Sequence, residues 1–114
     1  MRCQTKGSEM SKSRQGDARP KFPLGRIYAT PGALELLERS KQTAHTLLAR
    51  HVHGDWGLVH PEDAAANELA VSSGTRIVSS YAVGRAGVNG DAGVIWIITE
   101  ADRSATTLLL PGEY

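Results

Sequence analysis

An α+β fold is what the 114-residue sequence predicts, and three observations predict it. Helix caps and helical apolar spacing are confined to residues 30–73, β-branched and aromatic runs dominate from Thr75 onward, and glycine-rich turn signals separate the segments. Helices that precede strands imply two or three short helices packed on one face of a three- to four-stranded antiparallel meander.

Phe22-Pro-Leu-Gly-Arg-Ile-Tyr-Ala29 mixes β-prone residues with a Pro and a Gly, which suits an edge strand or an extended lead-in. Thr30-Pro31 opens a helix expected over 31–39: threonine caps it, and proline at the first helical position gives up only an N–H that has no partner. Thr43 caps a second helix running to about Val52, with Ala44, Leu47, Leu48 and His51 on one face, so His51 points toward the core or its rim. His53-Gly-Asp-Trp-Gly57 reads as a tight turn. His60-Pro61-Glu62-Asp63 starts a third helix, its acids complementing the helix dipole, and Gly74 ends it. Arg76–Val83, Val94–Thr99 and Thr106–Leu110 read as strands, joined by the Gly84–Gly93 connection and the turn 100–105. Val94-Ile-Trp-Ile-Ile98 is apolar on both faces, which predicts a central strand with Trp96 largely buried. Its second face then needs a cover, either the Phe22–Ala29 segment or another subunit in a homodimer.

With 40% hydrophobic and 22% charged residues, the composition is that of a single globular domain, and no apolar run approaches a membrane span. Cys3 is the only cysteine, which excludes an internal disulfide and a cysteine-based zinc site and points to a reducing cytoplasm. Residues 1–21 hold six basic and two acidic residues (+4), leaving seven basic and ten acidic residues (−3) in 22–114. The chain therefore divides into a basic tail expected to be disordered, 1–21, and one α+β domain, 22–114. Nucleic-acid binding finds support only in that tail, because the folded part is mildly acidic.

Two constellations carry candidate chemistry. In the first, Asp55 either accepts backbone N–H groups inside its turn, with Trp56 stapling the turn to the core, or pairs with His51 as an oriented acid–base couple. Asn67, a poor helix former in an Ala-rich helix, is placed to bond across to this turn. In the second, Trp96-Ile-Ile-Thr99-Glu100-Ala-Asp102-Arg103-Ser104-Ala-Thr106-Thr107 crowds hydrogen-bonding side chains at a strand end. They are either a polar turn with a Glu100–Arg103 ion pair, or an anion site in which Arg103 holds a phosphate or carboxylate and Glu100 accepts a proton. Arg76 and Tyr81 on the neighbouring strand stand within reach of it. His51-x-His53-x-Asp55 with His60 suggests a metal, and resembles the His-x-His-x-Asp-His motif of metallo-β-lactamase-like hydrolases. Position 56 is Trp, however, and the chain is too short for that fold. No metal and no cofactor are expected.

From Phe22 to Tyr114 the sequence resembles a family of short proteins of unknown function carried by plasmids and other mobile elements of proteobacteria. The resemblance rests on Ala29-Thr-Pro-Gly-Ala33, Arg50-His51, Gly54-Asp-Trp-Gly57, Asn67-Glu68, Ile95-Trp-Ile-Ile-Thr-Glu-Ala-Asp-Arg103, Thr106-Thr107 and Leu109-Leu-Pro111. Residues 1–21 and 84–93 stand outside the pattern, and His53 lies at an open position. The resemblance implies an accessory role on mobile DNA. The leading expectation is a protein that acts by interaction, against a host defence or regulatory protein, with Trp56, Asn67, Arg76, Tyr81 and Asp102 as binding residues. The alternative is a metal-free ribonuclease or phosphodiesterase of the small helix-plus-sheet toxin type, with His51 and Asp55 as acid–base groups, Arg103 on the phosphate, and Glu100 and Thr107 in support.

Overall fold

A computed structural model describes residues 19–84 and 93–114. The expected disordered tail therefore lies, but for its last three residues, outside the described residues, as does most of the Gly84–Gly93 connection. The elements run β1 (Arg26–Ala29), α1 (Pro31–Ser40), α2 (Ala44–Val52), α3 (Pro61–Ser73), β2 (Ile77–Val83), β3 (Gly93–Thr99) and β4 (Ala105–Leu109), closed by a 3₁₀ turn, Pro111–Glu113. The domain is α+β. No helix among the described residues is long and apolar enough to cross a membrane.

The helices start where the sequence supplies oxygen caps. Thr30 accepts the amide of Ala33 at 3.1 Å and Thr43 that of Thr46 at 3.2 Å. Before α3, His60 makes no side-chain cap, and Glu62 and Asp63 in the first turn answer the helix dipole instead.

The sheet order is β1-β4-β3-β2. β2 pairs antiparallel with β3, and β3 with β4, while β1 lies parallel beside β4. The sheet is therefore mixed, which corrects the purely antiparallel expectation. Its physical reason is that α1, α2 and α3 intervene between β1 and β2, so β1 is free to take the edge beside β4 instead of joining a hairpin.

Leu36, Leu37 and Leu47 pack on Tyr81, Ile95, Ile97 and Leu108 on one side of the sheet, and Phe22, Val52, Trp56 and Ala70 close over Ile77 beside them. α3 lies along the free edge of β2. Asn67 sends its amide nitrogen to the Val78 carbonyl (2.8 Å) and accepts the Val78 N–H (3.2 Å), filling the place of a strand residue. The expectation that Asn67 bonds to the 53–57 turn is corrected: the turn reaches β2 by itself. Ser80 N–H bonds to the Trp56 carbonyl and Leu58 N–H to the Ser80 carbonyl.

β3 is an interior strand, but Trp96 is only half-buried, contrary to expectation. Alternation turns Ile95 and Ile97, both 0% exposed, toward the helices, so Trp96 takes the opposite face. The Phe22–Ala29 segment does not cover that face, because Phe22 stacks on Trp56 on the helix side and Arg26–Ala29 extend the sheet edge.

Gly57 is required twice over. Its φ is +73°, and a Cβ there would stand 1.9 Å from the Ser80 carbonyl oxygen, whereas Gly74 shares a positive φ of +76° but meets nothing within 4 Å. Gly57→Ala is therefore expected to cost about 2–4 kcal/mol and Gly74→Ala only about 1 kcal/mol. Urea midpoints compare the two, and equal losses would place the 57–58 segment away from β2.

Candidate functional site

Four hydroxyl and imidazole groups form one connected chain at the centre of the core. His51, Ser79, Thr99 and Thr106 are all 0% exposed. His51 Nδ1 bonds to Ser79 Oγ, His51 Nε2 lies 2.8 Å from Thr99 Oγ1, and Thr99 Oγ1 lies 2.8 Å from Thr106 Oγ1. Thr106 Oγ1 donates to the Leu24 carbonyl at 2.8 Å. That last bond fixes all the others. A carbonyl only accepts, so Thr106 gives it its proton and must accept from Thr99; Thr99 then accepts from His51, whose proton sits on Nε2, and Nδ1 accepts from Ser79.

The imidazole is thus a neutral Nε2–H tautomer. Burial pushes its pKa down from 6.5 to about 4, helped by the positive Arg103. Phe22 lies over it edge-on, with ring centres 5.2 Å apart.

Arg103 stands on the other side of Phe22, its guanidinium 5.6 Å from the ring centre. It donates to three carbonyls: Ala70 at 2.6 Å, Thr75 at 2.7 Å and Glu100 at 3.0 Å. Two of these sit at the C-terminal end of α3, so Arg103 clasps the β3–β4 turn to that helix. Its backbone holds a left-handed φ of +62°. The expected Glu100–Arg103 ion pair is replaced by a bond to the Glu100 carbonyl. Asp102 accepts the Ser104 N–H within the same turn at 3.0 Å, and its carboxyl is held below its usual range by Ser104.

Asp55 does not pair with His51. It accepts from Arg50 Nε at 2.7 Å and from the Gly57 N–H at 3.2 Å, and the Arg50 partner holds its carboxyl below the usual range. Tyr81 does not join the 100–107 cluster. Its hydroxyl donates to the Asp55 carbonyl at 2.7 Å, Arg50 lies 4.6 Å above its ring, and burial raises its pKa to about 12. Trp56 is buried, with Nε1 donating to Glu68 at 2.9 Å. Thr107 and Arg76 face the other side of the sheet, Thr107 beside Ile98 and Tyr28 in the register. The structure therefore gathers His51 and Arg103 around Phe22, leaves Asp55 one turn away, and separates Thr107 and Arg76 from all three. Among the described residues, no three of His, Cys, Asp and Glu come together as a metal-holding group.

Thr99 and Thr106 belong to the polar 96–107 stretch that the sequence marks, whereas Ser79 and Phe22 carry no such mark. The signal for the hydroxyls is alternation: all three fall at inward strand positions beside Ile77, Ile97 and Leu108, where a buried hydroxyl needs a partner.

The opposite sheet face carries Val78, Trp96, Ile98, Thr107 and Leu109. The C-terminal turn crosses it, with Tyr114 meeting Trp96 edge-on at 5.8 Å and lying 6.0 Å from the Arg76 guanidinium, and the 57–60 loop and the start of α3 border it at β2. Glu113 anchors that turn, accepting from Thr30 Oγ1 at 2.5 Å and from Leu110 N–H at 2.9 Å. No family model, curated protein or solved structure matches the chain.

Two outcomes follow from this geometry. Because His51 has a folded pKa of about 4 against 6.5 for the free side chain, the unfolded chain binds the extra proton between those values. Its contribution is fully present above pH 6.5 and falls by about 3 kcal/mol in total as the pH drops to 4, read as the pH dependence of the urea unfolding free energy. Arg103→Ala is expected to cost about 2–3 kcal/mol by leaving carbonyls of α3 and the turn without their charged donor. Amide exchange accelerated first in residues 70–75 checks the cause.

Proposed function

We infer that the protein works by binding another protein through the sheet face opposite α1 and α2, not by catalysis, as an accessory factor of a mobile element directed at a host defence or regulatory protein. One observation carries this reading: the groups able to do acid–base or phosphate chemistry are bonded to the fold itself, while aromatic side chains stand on the sheet face away from the helices. His51 has both nitrogens on buried hydroxyls, Arg103 holds three carbonyls and Asp55 holds Arg50. Trp96, Tyr114 and Tyr28 meanwhile offer the large, semi-rigid rings that dominate protein interfaces; Tyr28 is 51% exposed and Tyr114 65%. The resemblance to plasmid-borne proteins supplies the setting.

A ribonuclease or phosphodiesterase is the second reading. It is favoured by one fact, that His51 and Arg103 flank the same ring, Phe22. Opening of residues 19–25 would expose both together.

Capture from host lysate separates the two. Wild-type protein is expected to retain a stoichiometric partner that Trp96→Asp releases, with the circular dichroism of the variant unchanged. RNA or nucleotide turnover that His51→Asn abolishes, with no partner retained, would overturn the binding reading. A second copy of the chain as the sole partner, seen by sedimentation, would make the same face a homodimer interface.

A further inference from the structure

The sheet face opposite α1 and α2 has a concave border. Where the start of α3 and the 57–60 loop overhang β2 and β3, a cleft of about 500 Å³ is lined by Leu58, Val59, His60, Asp63, Arg76 and Trp96, within the size range of small-molecule sites. Three features say what fits it.

The first is the state of its polar groups. Several other candidate groups are engaged by the fold: Arg50 with Asp55, Glu68 with Trp56, Glu113 with Thr30, Arg103 with carbonyls. Among the described residues, the His60 and Asp63 side chains and the Ser80 hydroxyl, by contrast, meet no hydrogen-bond or ion-pair partner, and the Arg76 side chain meets only the Tyr114 ring. A cation, a carboxylate, an imidazole and a hydroxyl thus converge on one apolar hollow with their capacity unfilled.

The second is the closed backbone edge beside it. Val78 is taken by Asn67, and Ser80 by Trp56 and Leu58, so an extended peptide finds no ladder to join there. The occupant must be recognised by side chains, as a compact body.

The third is what links its two ends. The Tyr114 ring stands 5.8 Å from the indole of Trp96 and 6.0 Å from the guanidinium of Arg76, so one ligand can reach both side chains.

We propose that this cleft binds a small molecule that joins a planar heteroaromatic ring to an anionic arm: the ring against Trp96, its N–H edge toward Asp63, and its phosphate or carboxylate on Arg76. Guanidinium matches either anion with paired N–H bonds, and an indole stacks on any flat ring. Nucleoside monophosphates and aromatic carboxylic acids share this chemistry. The site goes beyond the protein-binding reading and does not depend on it.

The test is a titration of the full ¹⁵N-labelled chain, with no protein partner present, so that its failure leaves the docking reading untouched. The probes are adenosine 5′-monophosphate, adenosine and indole-3-carboxylate at millimolar concentration. The Trp96 indole N–H resonance is expected to move while that of Trp56, tied to Glu68, stays in place. Movement with the nucleotide alone assigns a nucleotide, movement with the carboxylate alone an aromatic acid, and either supports the site. Arg76→Gln should weaken the anionic probe about tenfold and leave adenosine unchanged. Asp63→Asn should weaken adenosine and its monophosphate alike. Both positions are exposed, so folding is retained, which circular dichroism verifies. No movement of Trp96 with any probe, or equal loss of adenosine and its monophosphate in Arg76→Gln, overturns the proposal.

Discussion

The neutral imidazole of His51 is the constraint on which the architecture depends. It is brought in by α2, and through one run of hydrogen bonds it reaches β2 at Ser79, β3 at Thr99, β4 at Thr106 and the lead-in to β1 at Leu24. Five parts of the chain that are distant in sequence are thereby fixed relative to one another. A buried polar chain of this kind is stable only when complete, since each missing member leaves a desolvated donor or acceptor that costs about 1–3 kcal/mol. It also has a direction. Because the terminal carbonyl can only accept, no group in the run can reverse without breaking the next bond, and a second proton on the imidazole would force the Ser79 hydroxyl to turn its own proton away.

Around that centre, each end of the sheet is finished by a different device. Arg103 ties the β3–β4 turn to the last turn of α3, and Phe22 is held between that guanidinium and the imidazole. Thr30 serves two elements, accepting from the first turn of α1 while donating to Glu113 in the C-terminal turn. The two faces of the sheet are consequently unequal. One is filled by leucines of α1 and α2, and the other, among the described residues, is met by the C-terminal turn and bordered at β2 by the 57–60 loop.

Much of this was legible in the sequence, for identifiable reasons. Thr30-Pro31, Thr43 and Gly74 are local signals, and local signals place helix ends without reference to the rest of the fold. The inward position of His51 followed from its spacing with Leu47 and Leu48. Strand register and strand partners are not local. Nothing in Arg26–Ala29 says whether it pairs parallel with β4 or antiparallel with another strand, and the number of intervening helices decides it. The partners of His51 and Arg103 are not legible for the same reason: sequence proximity points to acids, Asp55 and Glu100, whereas the partners are hydroxyls and carbonyls from distant parts of the chain. Trp96 was misplaced because a strand apolar on both sides does not say which side the helices will take.

The amide of Asn67 has a consequence for how the protein keeps to itself in a crowded solution. An unprotected edge strand offers a row of N–H and C=O groups that any other extended chain can copy, the starting point of edge-to-edge association and fibrils. By occupying both backbone groups of Val78 with one side chain, while the 56–58 segment occupies Ser80, the fold blunts β2 without needing a charge or a proline in it. Asn67→Leu would keep the volume and remove the plug. Such a chain would carry a sticky β-edge next to an already apolar sheet face, and self-assembly, not loss of the native fold, would become its characteristic failure.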